Sequence, residues 1–127
     1  MSFEEFKRYI DSNDVKNVEN MLNSNSIDPR TNDNYAIMQA SSEGYTEIVR
    51  LLLEDGRADP DANDNRPIIN AVIRENIDTV RLLLRDDRVD SDPNDNRSII
   101  NALIRGNKDI VRLLMESRGF SALLKLP

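Results

Sequence analysis

The stretch Asp59-Pro60-Asp61-Ala62-Asn63-Asp64-Asn65 places side-chain oxygens at short, regular intervals. Closely spaced oxygen ligands are what a hard cation such as calcium needs, and the stretch opens like an EF-hand loop. That loop also requires glycine at its sixth position and a bidentate glutamate at its twelfth. Asp64 and Asn70 stand there instead. Turns and helix N-caps use the same residue types without an ion, so the stretch reads as turn chemistry and no metal is expected. A second candidate is the column Arg50, Arg81 and Arg112, which could clamp a phosphate. Each of these arginines follows an acid by three residues, namely Glu47, Asp78 and Asp109. On a helix that spacing makes an ion pair, and the one-to-one match favours a structural ladder over an anion site.

The chain offers little else for catalysis. It has no histidine and no cysteine, which removes the commonest general base and every thiolate. Its four glycines form no phosphate-binding loop. The carboxylates recur with a fixed period, whereas a catalytic pair in a cleft would stand outside a repeat. Tyr9, Tyr35 and Tyr45 are scattered and read as packing residues. No enzyme activity and no cofactor are expected. The net charge of −6 argues against nucleic acid, whose affinity rests on Lys and Arg at phosphates, and against an anionic membrane surface. The start, Met1-Ser2-Phe3-Glu4-Glu5-Phe6, lacks the basic and apolar regions of a signal peptide. No apolar stretch is long enough to span a bilayer. An intracellular, cytoplasmic monomer is the expectation.

These residues must be positioned by a repeated element. Asn-Asp-Asn occurs at residues 32–34, 63–65 and 94–96, each copy 31 residues from the next. A fixed period of that size marks a stack of supersecondary units. With residues 32–62, 63–93 and 94–122 written under one another, the apolar columns align: Ile37, Ile68 and Ile99; Ala40, Ala71 and Ala102; Val49, Val80 and Val111. Leu51-Leu52-Leu53, Leu82-Leu83-Leu84 and Leu113-Leu114-Met115 follow. Residues 1–31 fit the same frame loosely, through Val18, Met21-Leu22 and Ile27-Asp28-Pro29.

Each unit holds two helices, near 35–43 and 46–55 in the first full copy. Asn34, Asn65 and Asn96 are N-cap candidates. Pro67 falls just inside a helix start, where a missing N–H costs little. Gly44 and Gly106 suit the left-handed turn between the two helices, and Glu75 must make that turn without glycine. Helices this short depend on tertiary packing, so the leucine columns imply units that bury one another in a row with capped ends. The N-terminal unit carries Glu19-Asn20 where the next carries Arg50-Leu51, a wetter outer face.

These columns resemble the ankyrin repeat, whose unit starts on a Thr-Pro-Leu-His-x-Ala motif, turns at Gly-His, and continues with an acid, Ile-Val or Val-Val and a leucine triplet. Tyr35-Ala36-Ile37-Met38-Gln39-Ala40 and Arg66-Pro67-Ile68-Ile69-Asn70-Ala71 stand at the start. Gly44-Tyr45-Thr46-Glu47-Ile48-Val49-Arg50-Leu51-Leu52-Leu53 and Gly106-Asn107-Lys108-Asp109-Ile110-Val111-Arg112-Leu113-Leu114 carry the second motif. The Thr and His of the start motif are absent from every copy, and the period is 31 where the family's is 33. The deletion falls in the β-hairpin finger between Asp59-Pro60 and Arg66-Pro67.

The resemblance implies an all-α, ankyrin-type solenoid of stacked helix-turn-helix repeats with shortened, largely strand-free fingers. It implies one domain over residues 1–127: an N-terminal capping repeat at 1–31, inner repeats at 32–62 and 63–93, and a last repeat with a C-terminal cap at 94–127. The apolar stretch Gly119-Phe120-Ser121-Ala122-Leu123-Leu124-Lys125-Leu126-Pro127 is expected to form that cap. The implied function is non-catalytic binding of a protein partner through the concave face. Matching positions are Tyr35, Arg66 and Arg97 at helix starts, and Ser42-Glu43, Ile73-Arg74 and Ile104-Arg105 at helix ends. The arginines would meet acidic groups on the partner and Glu43 would tune specificity. Ile73 and Ile104 read either as a satellite of the core or as partner anchors. Homotypic assembly of exposed end units, or a targeting fragment of a larger protein, are the alternatives.

Overall fold

The computed structural model describes residues 2–89 and 97–117. They form α1 (Phe3–Asp11), α2 (Val15–Asn23), α3 (Thr31–Glu43), α4 (Thr46–Asp55), α5 (Ala62–Ile73), α6 (Ile77–Arg85), α7 (Arg97–Arg105) and α8 (Lys108–Glu116), with no strand among the described residues. Turns of two or three residues join the helices in pairs. One row is made by α1, α3, α5 and α7, each touching the next, and a second row by α2, α4, α6 and α8. The result is a single stack of four helix pairs.

The core sits between the rows and follows the columns. Ile37, Ile68 and Ile99 are buried, as are Ala40, Ala71 and Ala102. The middle leucine of each triplet, Leu52, Leu83 and Leu114, is fully buried, and its neighbours on either side are half-buried. Equivalent residues thus occupy equivalent surroundings, as a quasi-one-dimensional stack requires. At the N-terminal end Glu19 and Asn20 are exposed. Arg50 pairs with Glu47 at 2.8 Å and Arg81 with Asp78 at 3.2 Å along their own helices. These two exposed pairs are rungs of the ladder expected from spacing.

The turn inside each pair is left-handed in all four units: Asn13, Gly44, Glu75 and Gly106 have φ of 56°, 76°, 59° and 68°. Gly44 also makes room, since a Cβ there would lie 2.8 Å from Asn76 Oδ1. Asn76 Nδ2 uses that approach to donate to the carbonyls of Ser41 and Ser42, at 3.1 and 2.9 Å. One period earlier the Tyr45 hydroxyl donates to the Asp11 carbonyl at 3.3 Å.

The Asn-Asp-Asn motif differs from expectation. Asn32, Asp33 and Asn34 all lie in the left-handed region, with φ of 60°, 56° and 59°, and residues 63–65 repeat this. Asn and Asp tolerate that region better than other side chains, which explains the motif's composition. The right-handed part of α3 therefore begins at Tyr35, after a left-handed turn closed by Asn34 N–H on the Arg30 carbonyl at 2.9 Å. Asn34 does not cap its own helix. Its Oδ1 accepts the Asp59 N–H from the far end of the same unit at 2.9 Å, in the loop where a finger would stand. Asn65 makes no cap either; its Oδ1 is buried and has no partner among the described residues. The difference has a geometric cause, because a left-handed backbone before the helix turns the Asn34 side chain away from its own helix and towards the loop after α4. Asn96 lies outside the described residues, as does the cap expected at 119–127.

Arginines no column singled out tie the units together. Arg57 is held by Asp55 at 2.8 Å and donates to the Ile27 and Leu22 carbonyls of the preceding unit, at 3.2 and 3.3 Å. Arg88, 31 residues on, is held by Asp86 and donates to the carbonyls of Gly56, Ala58 and Leu53, at 2.9, 3.1 and 3.2 Å. Leu22 is the second-from-last residue of α2 and Leu53 the third-from-last of α4, so each arginine reaches a carbonyl in the last turn of the preceding unit's second helix. Ser26 holds this position in the first unit.

Candidate interaction surface

In α5, Arg66, Asn70, Ile73 and Arg74 are spaced by four, three and one residues, so they share one helical side. Arg66, Asn70 and Ile73 are half-buried and Arg74 is exposed. The same positions are Tyr35, Gln39, Ser42 and Glu43 in α3, and Arg97, Asn101, Ile104 and Arg105 in α7. Together they make a strip across three helices of one row. Sequence reasoning picked out nine of these twelve. Gln39, Asn70 and Asn101 were missed, although each lies four residues after a chosen helix-start position.

The strip is not uniform. Tyr35 is half-buried and engaged by α1: Phe3 meets it edge-on at 5.7 Å, Lys7 lies 5.3 Å from its ring centre, and its hydroxyl donates to Asp11 Oδ1. Burial, then that bond to the Asp11 carboxylate, raises the tyrosine pKa. Burial acts to raise the Asp11 pKa as well, but hydrogen bonds from Lys7 and Tyr35 outweigh it and hold the carboxyl below its ordinary range. At this end the strip is closed by the molecule's own side chains.

Towards α5 and α7 it opens. Arg74 approaches Glu43 only to 3.9 Å, with the two side chains 54% and 34% exposed. A pair that loose and wet contributes almost nothing to stability. Arg97 donates to the Asp64 carbonyl at 2.6 Å, anchoring α7 to the left-handed turn of the preceding unit. Asn101 Nδ2 donates to the Arg97 carbonyl at 2.8 Å. Arg105 is exposed at the end of α7. Ile73 packs against the core while Ile104, in the same column, is 77% exposed. No group of three or more acids able to hold a metal ion occurs among the described residues. No helix among them is long and apolar enough to cross a membrane.

A family model of ankyrin repeats, comprising three copies, matches residues 8–97. The same comparison made with curated proteins and with solved structures returned no match. Ankyrin repeats are generally protein–protein interaction modules without catalytic activity.

Proposed function

Since the chain belongs to the ankyrin-repeat family, we propose that it is a non-catalytic module that binds a protein partner through the strip on α3, α5 and α7. The observation that carries this reading is charge segregation. On a chain of net charge −6, the open part of the strip presents Arg66, Arg74, Arg97 and Arg105, with Glu43 as its only acid. Complementary charge of this kind steers association and rejects wrong partners more than it adds affinity. An acidic protein surface fits it. Arg74 and Arg105 supply the exposed cations, Arg66 and Arg97 the more constrained ones, and Glu43 competes for Arg74 until a partner replaces it. The protein acts as a monomer in the cytoplasm, and neither nucleic acid nor membrane takes part.

The test is capture from native lysate on the immobilised chain, compared with an Arg74→Glu, Arg105→Glu double variant. Both side chains are exposed, so the thermal midpoint should not change. Proteins retained by the parent should be lost by the variant and should elute with added salt. Identical retention by a folded variant refutes the assignment.

A further inference from the structure

The strip carries two kinds of polar group that the fold does not use. Gln39 and Asn70 are half-buried on successive helices of one row, and neither side-chain amide has a hydrogen-bond partner among the described residues. Asn101, next in that column, donates from Nδ2 to the Arg97 carbonyl, and nothing among the described residues donates to its Oδ1. Arg66 and Arg105 pair with no acid among the described residues, whereas Arg97 is engaged by the Asp64 carbonyl and Arg74 leans towards Glu43. A side-chain amide offers donors and an acceptor together, which matches the N–H and C=O of a main chain. A guanidinium matches a carboxylate. The column of amides with arginines to either side therefore asks for a ligand with an unpaired backbone and acidic side chains.

We propose that the strip binds an extended acidic peptide segment, its main chain lying on the amide column and two acids three residues apart meeting Arg66 and Arg105. This assignment rests on the strip being the binding surface and adds the conformation of what binds. Dimensions support it. Packed helices lie about 8–10 Å apart. A strand advances about 3.3 Å per residue, so three residues cover roughly 10 Å, one helix spacing. Side chains alternate along a strand, so residues three apart also point to opposite sides. Arg66 and Arg105 meet both conditions. They stand on neighbouring helices, Arg66 four residues before Asn70 in α5 and Arg105 four residues after Asn101 in α7. Four residues of helix rise about 6 Å, so each arginine flanks the amide column by the same distance on opposite sides. A helical segment fits less well, because its backbone groups are already paired and three of its residues rise only about 4.5 Å. Over α3 the strip has no arginine, the Tyr35 hydroxyl is bonded to Asp11, and Glu43 is acidic. The acids of the segment therefore belong over α5 and α7.

The probes are isomeric fluorescent peptides of alanine, serine and two glutamates, with the glutamates two, three or seven residues apart. Two apart places both acids on one side of a strand, and seven apart on a helix rises about 10 Å. Anisotropy titrations with the full chain should show the three-apart peptide binding severalfold more tightly than either isomer. Asn70→Ala should weaken it about fivefold for each hydrogen bond lost, and Arg66→Glu with Arg105→Glu should abolish binding, both with unchanged thermal midpoints. If Asn70→Ala lowers the midpoint, an ester in place of the peptide bond midway between the glutamates tests the same contact from the ligand's side; an ester that binds as well as the amide overturns the proposal. Equal binding of the isomers, lost on charge reversal and indifferent to Asn70→Ala, overturns the extended register and leaves an acidic partner in place. Tighter binding of the seven-apart isomer overturns it in favour of a helical partner. No binding of any isomer also overturns it, and loss of lysate capture by the Arg74→Glu, Arg105→Glu variant would then still stand for the strip itself.

Discussion

Replacing Arg57 with methionine keeps the apolar stem and removes the guanidinium that joins the second helix pair to the first. Two bonds to the Leu22 and Ile27 carbonyls disappear, and Asp55, whose side chain is only 15% exposed, loses its partner. A hydrogen bond involving a charged group contributes about 1.5–3 kcal/mol. With Arg57 one-third exposed, screening places each bond at the low end, and water can reach part of the freed surface. The expected loss is about 2–3 kcal/mol, which at a urea slope of about 1.5–2 kcal/mol/M lowers the midpoint by roughly 1–2 M. The loss should also be local. Because units in a stack are stabilised by their neighbours, amides of α1 and α2 should gain hydrogen exchange before those of α5 and α6. Arg30→Met is the control: its pair with Asp28 is exposed and confined to one loop, so no measurable change is expected. A midpoint shift for Arg57→Met no larger than the control's, or uniform loss of protection, refutes the role assigned to this arginine.

Glu75 makes with a full side chain the left-handed turn that glycine makes at Gly44 and Gly106; removing that penalty of roughly 1–2 kcal/mol, less about 0.5–1 kcal/mol for glycine's greater chain entropy, Glu75→Gly should raise the thermal midpoint slightly, and a lower midpoint contradicts the reading. Gly44→Ala and Gly106→Ala share the backbone penalty of roughly 1–2 kcal/mol. Only the first displaces Asn76 from two carbonyls, at about 1 kcal/mol each, so it should be clearly the worse in urea unfolding, and equal losses would discount that contact. Asp55 is held below its ordinary pKa first by its hydrogen bonds from Arg57. An unfolded aspartate titrates near 3.9, so this stability is present above about pH 4 and is lost as pH falls through the lower folded value. Asp55→Asn should therefore lower the urea midpoint at pH 7 and shrink its difference from pH 3; an unchanged difference means the pair is not part of acid unfolding.

Much of the fold was legible because burial repeats along the chain as it does in space. The columns of Ile37, Ala40, Val49 and Leu52 report which side of each helix faces the core, and the expected second helix, 46–55, coincides with α4. Composition set the charge, excluded histidine and thiol chemistry, and marked the turns. What periodicity could not show was which atoms meet between units. Nothing in the spacing of Arg57 or Asn34 reveals that their partners are backbone groups far away in the chain, because every carbonyl and amide looks alike in sequence. The left-handed Asn-Asp-Asn turn redirected a side chain that the sequence alone assigned to a cap. Ile73 and Ile104 make the same point on the surface: one residue type in one column is half-buried where α7 follows and bare where no described helix follows. Local pattern decides which side of a helix is apolar; only the arrangement of neighbours decides whether that side is covered.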